Sequence, residues 1–235
     1  MRILFDNKFF NSTLTATNAS LNYPTSNLIH PFLRRRFQST GTTSIITASF
    51  ASDISANSFF YGYTTAANII VRLYDSLSAL LDTINITDIM QTDAVYFTQR
   101  NNIRSVEIEI TGADPLYLGG IGLGIYTQIK DPVNTWSNSL IDNSTLISSP
   151  AGQNLQNYIE PLRVYSFLFR DLTLNDFYSI QDLYKLKGIG YNLYMDLFES
   201  NHTFISPIYA KITSPINGQK NGRRYDFNLN IEEVR

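Results

Sequence analysis

The sequence predicts a mainly β protein: an N-terminal sandwich or jelly roll, followed by a C-terminal β-rich domain with one α-helix. Three observations predict it. From Arg104, the residues Val106, Ile108 and Ile110 alternate with Ser105, Glu107, Glu109 and Thr111, the period of a strand with one buried face. Short apolar runs recur along the first 130 residues with Asn, Asp, Gly and Ser between them, and no helical period is sustained there. Fifteen Tyr and fifteen Phe favour strands, while a polar load carried by Asn, Ser and Thr favours turns over long helices.

Taken in order, strands are expected at residues 44–50 (SIITASF), 58–63 (SFFYGY), 68–74 (NIIVRLY), 94–98 (AVYFT) and 104–111. A turn follows at 112–115 (GADP). Next, Ile121, Leu123 and Ile125 alternate with Gly120, Gly122 and Gly124. This glycine spacing does not match the dinucleotide fingerprint, and no helix start follows it. The expectation is a strand whose bare face lets another backbone or a bulky side chain approach closely.

Residues 131–160 are polar and weakly periodic, and read as a linker or irregular excursion between a first domain at 1–130 and a second at 161–235. In the second domain, residues 161–170 read as a strand with Val164, Phe167 and Phe169 in the core. A helix is expected from the cap Thr173 to the stop Gly188, with Leu174, Phe177, Ile180, Leu183 and Tyr184 as its apolar stripe. Strands at 191–198 and 205–213, the latter with Pro207 at an edge or bulge, a turn at 217–222 and an alternating strand at 225–234 complete it.

Composition excludes several functions. With no cysteine there is no disulfide, thiolate metal site or cysteine nucleophile. A formal net charge of -2 and only 16% charged residues argue against a nucleic-acid partner, which needs many cations on one face. No run approaches the roughly 18 apolar residues of a membrane span, and the N-terminus does not read as a signal peptide. Five Asn-x-Ser/Thr sites, Asn11 and Asn85 among them, are expected by chance in such a chain.

Strand order over residues 1–130 resembles the discoidin, or galactose-binding-like, jelly roll. The residues that carry the likeness are the polar entry 26–40 (SNLIHPFLRRRFQST), then 44–50, 58–76, 94–97, 104–110 and 118–124 (LGGIGLG). The second half is similar to the C-terminal part of structural proteins of tailed bacteriophages and related prophage-derived particles, through 150–153 (PAGQ), 171–184 (DLTLNDFYSIQDLY) and 225–234 (YDFNLNIEEV). Together these resemblances imply a virion or tail component.

The candidate site residues follow. Arg34, Arg35 and Arg36 form the one tight basic run and read either as a solvated loop or as an ion-pairing contact with a neighbouring subunit; Lys220, Arg223 and Arg224 form a second basic turn with the same two readings. Trp136, the single tryptophan, reads as a linker anchor or an interface hot spot. Tyr61, Tyr63 and Tyr117 could stack on sugar, or could fill the core. His30 and His202 are the two histidines, and no nucleophile elbow accompanies them. Asp53, Asp75, Asp82, Asp88 and Asp93 read as turn caps rather than calcium ligands. The expectation is a non-enzymatic virion structural protein, without cofactor or metal. It is made in the host cytoplasm and assembles as a homo-oligomer with other virion or tail proteins. The alternative is a carbohydrate-binding module recognising a cell-surface glycan; an enzyme is the weakest reading.

Overall fold

The structure, a computed structural model, describes the chain except for residues 5, 31–32, 34, 130–135, 143, 149–153, 158–161, 188–191, 197–207, 216–217 and 235. The strands are β1 (Arg2–Leu4), β2 (Ser12–Ala16), β3 (Phe37–Gln38), β4 (Thr43–Thr64), β5 (Ala66–Tyr74), β6 (Leu80–Ile86), β7 (Thr92–Gly112), β8 (Tyr117–Gly124), β9 (Thr127–Gln128), β10 (Trp136–Ile141), β11 (Thr145–Ser148), β12 (Asn154–Asn157), β13 (Leu162–Leu172), β14 (Asn192–Asp196), β15 (Ile208–Ile212), β16 (Gly218–Asn221) and β17 (Arg224–Glu233); one helix, α1 (Leu174–Lys187), lies between β13 and β14. The chain divides into two units, the first of Met1–Ile129 with Asn192–Tyr209, the second of Lys130–Tyr191 with Ala210–Arg235.

In the first unit the runs expected as separate strands at 44–50 and 58–63 are one long strand, β4. Its first part pairs with β2 and β7, its last part with β7 and β8. Between them the β4–β7 register slips between Ser49 and Ile54 and twice more before Ser58. Each slip inserts residues into one strand, bending it and changing which side chains face inward. Ile46 and Ala48 are buried before the slips, Phe59 and Tyr61 after them, so even positions give way to odd ones. The bend carries β4 from one layer of a sandwich to the other. One layer is ordered β2-β4-β7-β5-β6, the other β7-β4-β8-β3. Ile46, Val71 and Ile108 of the first layer and Phe59, Ile121 and Leu123 of the second belong to a single apolar core. The expected β-sandwich jelly roll is the observed architecture. The alternation read at 104–111 holds, with Val106, Ile108 and Ile110 fully buried.

The glycine strand β8 behaves as its sequence predicts. Ile121 and Leu123 enter the core, while Gly120, Gly122 and Gly124 present bare backbone on the other face. A Cβ on Gly122 would lie 2.6 Å from the Tyr194 ring, and one on Gly124 2.6 Å from the Asp6 carbonyl oxygen. Tyr194 comes from β14, which pairs with β1, as β9 does on the other side of β1. The Tyr194 hydroxyl donates to the Ile121 carbonyl at 2.8 Å, and its ring meets Phe60 at 3.7 Å between centroids. Asn7 completes the strand's edge: its side-chain amide donates to Ile121 O at 2.9 Å and accepts from Leu123 N–H at 3.1 Å. One amide group thus makes the pair of bonds that a neighbouring strand would make. Ile125, expected to continue the apolar face, lies past the strand end and is 41% exposed.

This seating explains a difference from the expected division at 1–130, 131–160 and 161–235. The described residues of Asn192–Tyr209, β14 above all, belong to the first unit, because Tyr194 fits only where β8 lacks side chains. The stretch expected as a linker also contains β10, β11 and β12.

In the second unit β17 pairs with β13, with the Ala210–Ile212 run of β15 and, through the turn at Gly222, with β16. Strand β16 occupies part of the expected turn at 217–222; the turn itself lies at 222–223, where Gly222 adopts a positive φ. Phe167 and Phe169 are buried as expected, but Tyr165 rather than Val164 shares their face. Phe169 stacks on its cross-strand neighbour Phe227 at 4.5 Å. Thr173 caps α1 reciprocally: its hydroxyl accepts from Asp176 N–H and the Asp176 carboxylate accepts from Thr173 N–H, both at 3.2 Å. Of the expected stripe, Ile180 is buried and Phe177 stacks on Tyr225 at 4.6 Å, whereas Leu174 is 43% exposed. Leu183's side chain, Gly188 and Pro207 lie outside the described residues.

Two glycine substitutions separate close approach from mere flexibility. Gly122→Val is expected to lower stability by about 1–3 kcal/mol through overpacking against Tyr194. Gly41→Ala, with nothing within 4 Å of the added carbon, is expected to be neutral or to stabilise by up to about 1 kcal/mol. Urea denaturation of both variants measures this.

Candidate functional site

At the loop end of the first unit, the chain between β2 and β4 meets the start of β8. The two-residue strand β3 pairs Gln38 with Tyr117 and Phe37 with Leu118. This fixes the preceding residue, and the Arg36 guanidinium lies over the Tyr117 ring, 4.1 Å from its centroid. Such a cation–π contact at a half-exposed site contributes roughly 0.5–1 kcal/mol and holds the arginine in place. The backbone around the pair is tied down. Asn27 donates its side-chain amide to Arg36 O at 3.0 Å, Thr64 donates its hydroxyl to Tyr117 O at 2.9 Å, and Tyr117 N–H donates to the Thr65 hydroxyl at 3.1 Å. Gln38 N–H donates to Tyr23 O at 3.2 Å, which sets Tyr23, 40% exposed, one chain over from the stack. The result is a fixed stack of one aromatic ring and a planar cation, with Gln38 paired opposite Tyr117.

The structure thus joins two of the residues singled out in the sequence, Arg36 and Tyr117, and separates the others. Arg35 is exposed beside them, and Arg34 lies outside the described residues. Trp136 pairs through its backbone with Phe167 in β10 of the second unit, and its side chain lies outside the described residues. Tyr61 is fully buried and is corrected from sugar-stacking candidate to core residue; in SFFYGY the two burying faces cannot be told apart, since both are covered. Tyr63 is half-buried with a φ of 52°. His30 ends a short 3₁₀ turn, and His202 lies outside the described residues. Lys220, Arg223 and Arg224 are exposed around the β16–β17 turn. Tyr23 and Gln38 carry no signal in the sequence: the β3–β8 register sets Gln38 opposite Tyr117, and Tyr23 is tied to Gln38 only through its carbonyl.

Of the aspartates expected as turn caps, Asp75 holds a turn, while Asp82 and Asp53 form ion pairs. Asp75 accepts from the N–H groups of Leu77 and Ala79, both at 2.8 Å, Asp82 pairs with Arg100 at 2.8 Å and Asp53 with Arg104 at 3.1 Å. Among the described residues no group of three or more acidic or histidine side chains is placed to hold a metal, and no helix is long and apolar enough to cross a membrane. Asp93 differs. Burial raises its pKa above the ordinary carboxylate value, the Ala94 N–H bond opposes this, and the charges of Asp196 and Asp88 raise it further. Burial also pushes the neighbouring Tyr61 up to about 12, with Asp93 adding to the effect.

No family model and no curated protein matches the chain. Among solved structures, chitosan-binding module 1 from a chitosanase/glucanase of Paenibacillus sp. IK-5 is 16% identical, with half of this chain aligned to 98% of that one at a TM-score of 0.43. A fucose binding module of Streptococcus pneumoniae, SpX-3, is 11% identical over 53% of this chain and 99% of its own, with a TM-score of 0.45. A fucosidase of Ruminococcus gnavus is 12% identical over 54% of this chain and 28% of its own, with a TM-score of 0.46.

The raised pKa of Asp93 has a signed consequence. Its protonated form is favoured on folding, so its contribution to stability is full below the unfolded carboxylate pKa and is lost as pH rises through the higher folded value. Asp93→Asn is therefore expected to be more stable than the parent at pH 7, with the gap closing toward pH 3. Thermal melts across that range measure the difference.

Proposed function

We propose that the first unit is a non-catalytic recognition module that binds a cell-surface glycan at the loop end, where Arg36 stacks on Tyr117. The single observation that carries this reading is that stack, held by β3 pairing at the surface of the unit. Sugars present apolar ring faces and rings of hydroxyls. Aromatic planes meet the first, and a fixed guanidinium with amides such as Gln38 meets the second, as in binding sites that place a few polar groups on an apolar floor. Solved structures similar in fold carry names of chitosan-, fucose- and pectin-binding modules; the reading for this chain rests on its own surface.

A second reading is assembly into a phage tail, connector or related particle, as a homo-oligomer or beside other tail proteins. Its support is the resemblance of residues 150–153, 171–184 and 225–234, together with β10. Among the described residues that strand pairs on one side only, with β13, and Leu140 and Ile141 on it are exposed. Unpaired, apolar strand edges are docking points for other chains. The two readings are compatible, since a particle subunit can carry a glycan-binding unit.

On a glycan array the folded chain is expected to give a defined set of signals that Tyr117→Ala and Arg36→Ala each reduce at least tenfold. A folded chain without signal would remove the first reading. For the second, co-sedimentation of the chain with particles is expected, and a chain that stays monomeric and never sediments with them would remove it.

A further inference from the structure

A second cleft, at the other end of the same unit, belongs to none of this. It measures about 460 Å³ and is lined by Lys8, Asn11, Ser52, Asp53, Ser55 and Ile125, among others. It exists because of the bend in β4. Ser49 pairs with Ser105 and Ile54 with Ile103, so residues 50–53 bulge out opposite Arg104 alone. That arginine clamps the bulge. It donates to the Phe50 carbonyl at 3.4 Å and to the Ala51 carbonyl, and its Nε pairs with Asp53 Oδ1 at 3.1 Å. The bulge is therefore a fixed wall rather than a slack loop, and the Asp53 carboxylate is aimed by a guanidinium.

The chemistry of the lining selects a ligand. Its charges cancel locally, Lys8 against Asp6 and Asp53 against Arg104, so the cleft has no net attraction for an anion or a cation. Asn11, Ser52 and Ser55 add amide and hydroxyl groups to the lining. Ile125, 41% exposed just past the end of β8, supplies an apolar surface. A neutral ring that carries hydroxyls at its rim and C–H groups on its face matches all three properties, and the volume lies within the range of small-molecule sites.

We propose that this corner cleft is a second, independent subsite for a neutral monosaccharide unit. It lies about 23 Å from the loop end, the length of the seven residues that β8 runs between Tyr117 and Gly124. The site stands whether or not the Arg36–Tyr117 end binds sugar. If both bind, one unit engages a glycan surface at two points, which multiplies the effective affinity.

The test is amide NMR of the full chain titrated with millimolar methyl β-D-galactopyranoside, methyl α-L-fucopyranoside and methyl β-D-glucopyranoside, with galacturonate as the charged control. At least one neutral glycoside is expected to shift the amides of Ser52, Asp53, Ser55 and Ile125. Asn11→Ala with Asp53→Asn is expected to weaken this at least tenfold without changing the dispersion of the spectrum. Tyr117→Ala is expected to leave these shifts in place. Shifts confined to Tyr23, Arg36 and Tyr117 would overturn the corner subsite while upholding the loop end; the converse pattern would uphold the corner and move the glycan reading away from the loop end. No shift at the corner with any glycoside, tighter binding of galacturonate than of the neutral sugars, or shifts that survive the double substitution would each overturn it.

Discussion

The first unit depends on the close approach of Tyr194 and the N-terminal segment to a strand without side chains on one face. A β-strand at the edge of a sandwich ordinarily buries one face and leaves the other to water. β8 is buried on both. Ile121 and Leu123 enter the shared core, and the glycine face receives a tyrosine ring, Leu4 and the backbone at Asp6. The core on one side and the cover on the other are thus coupled through a single layer of backbone. The carbonyl of Ile121, which accepts from both Tyr194 and Asn7, is where they meet.

From that layer the rest of the unit follows. β4 lies beside β8 and must serve two layers, so it slips register and bends. The bend leaves a bulge that needs bracing, and Arg104 supplies it. At the other end β8 starts where β3 can add a two-residue rung, and that rung carries Arg36 onto Tyr117. Both proposed binding surfaces are therefore by-products of how one strand is covered and its neighbour bent.

Much of this fold was legible in the sequence, and for identifiable reasons. Alternation at 104–111 and 225–234 is long enough that one face had to be apolar, and the glycine spacing at 120–124 could only mean close approach. Thr173 with Asp176 announced the helix start. What was not legible is non-local. Nothing in SIITASF or SFFYGY says that they are one strand, because the residues between them read as a turn. Tyr61 and Phe60 face opposite sides, yet both are buried, since cover for the second face arrives from Tyr194, over a hundred residues away. Of the candidate site, Arg36 and Tyr117 were visible as residue types, but their meeting depends on the register of a two-residue strand, which no sequence period encodes.

Asn7 has a further bearing on how this molecule can associate. By occupying the hydrogen-bonding groups of β8 with a side chain, it leaves an intruding segment from another copy nothing to zip onto there. Strand addition at Ile121 and Leu123 is blocked by one carboxamide. Stacking of copies at this rim must proceed by surface complementarity, whereas β10 of the second unit, with Leu140 and Ile141 exposed along it, carries no comparable guard among the described residues.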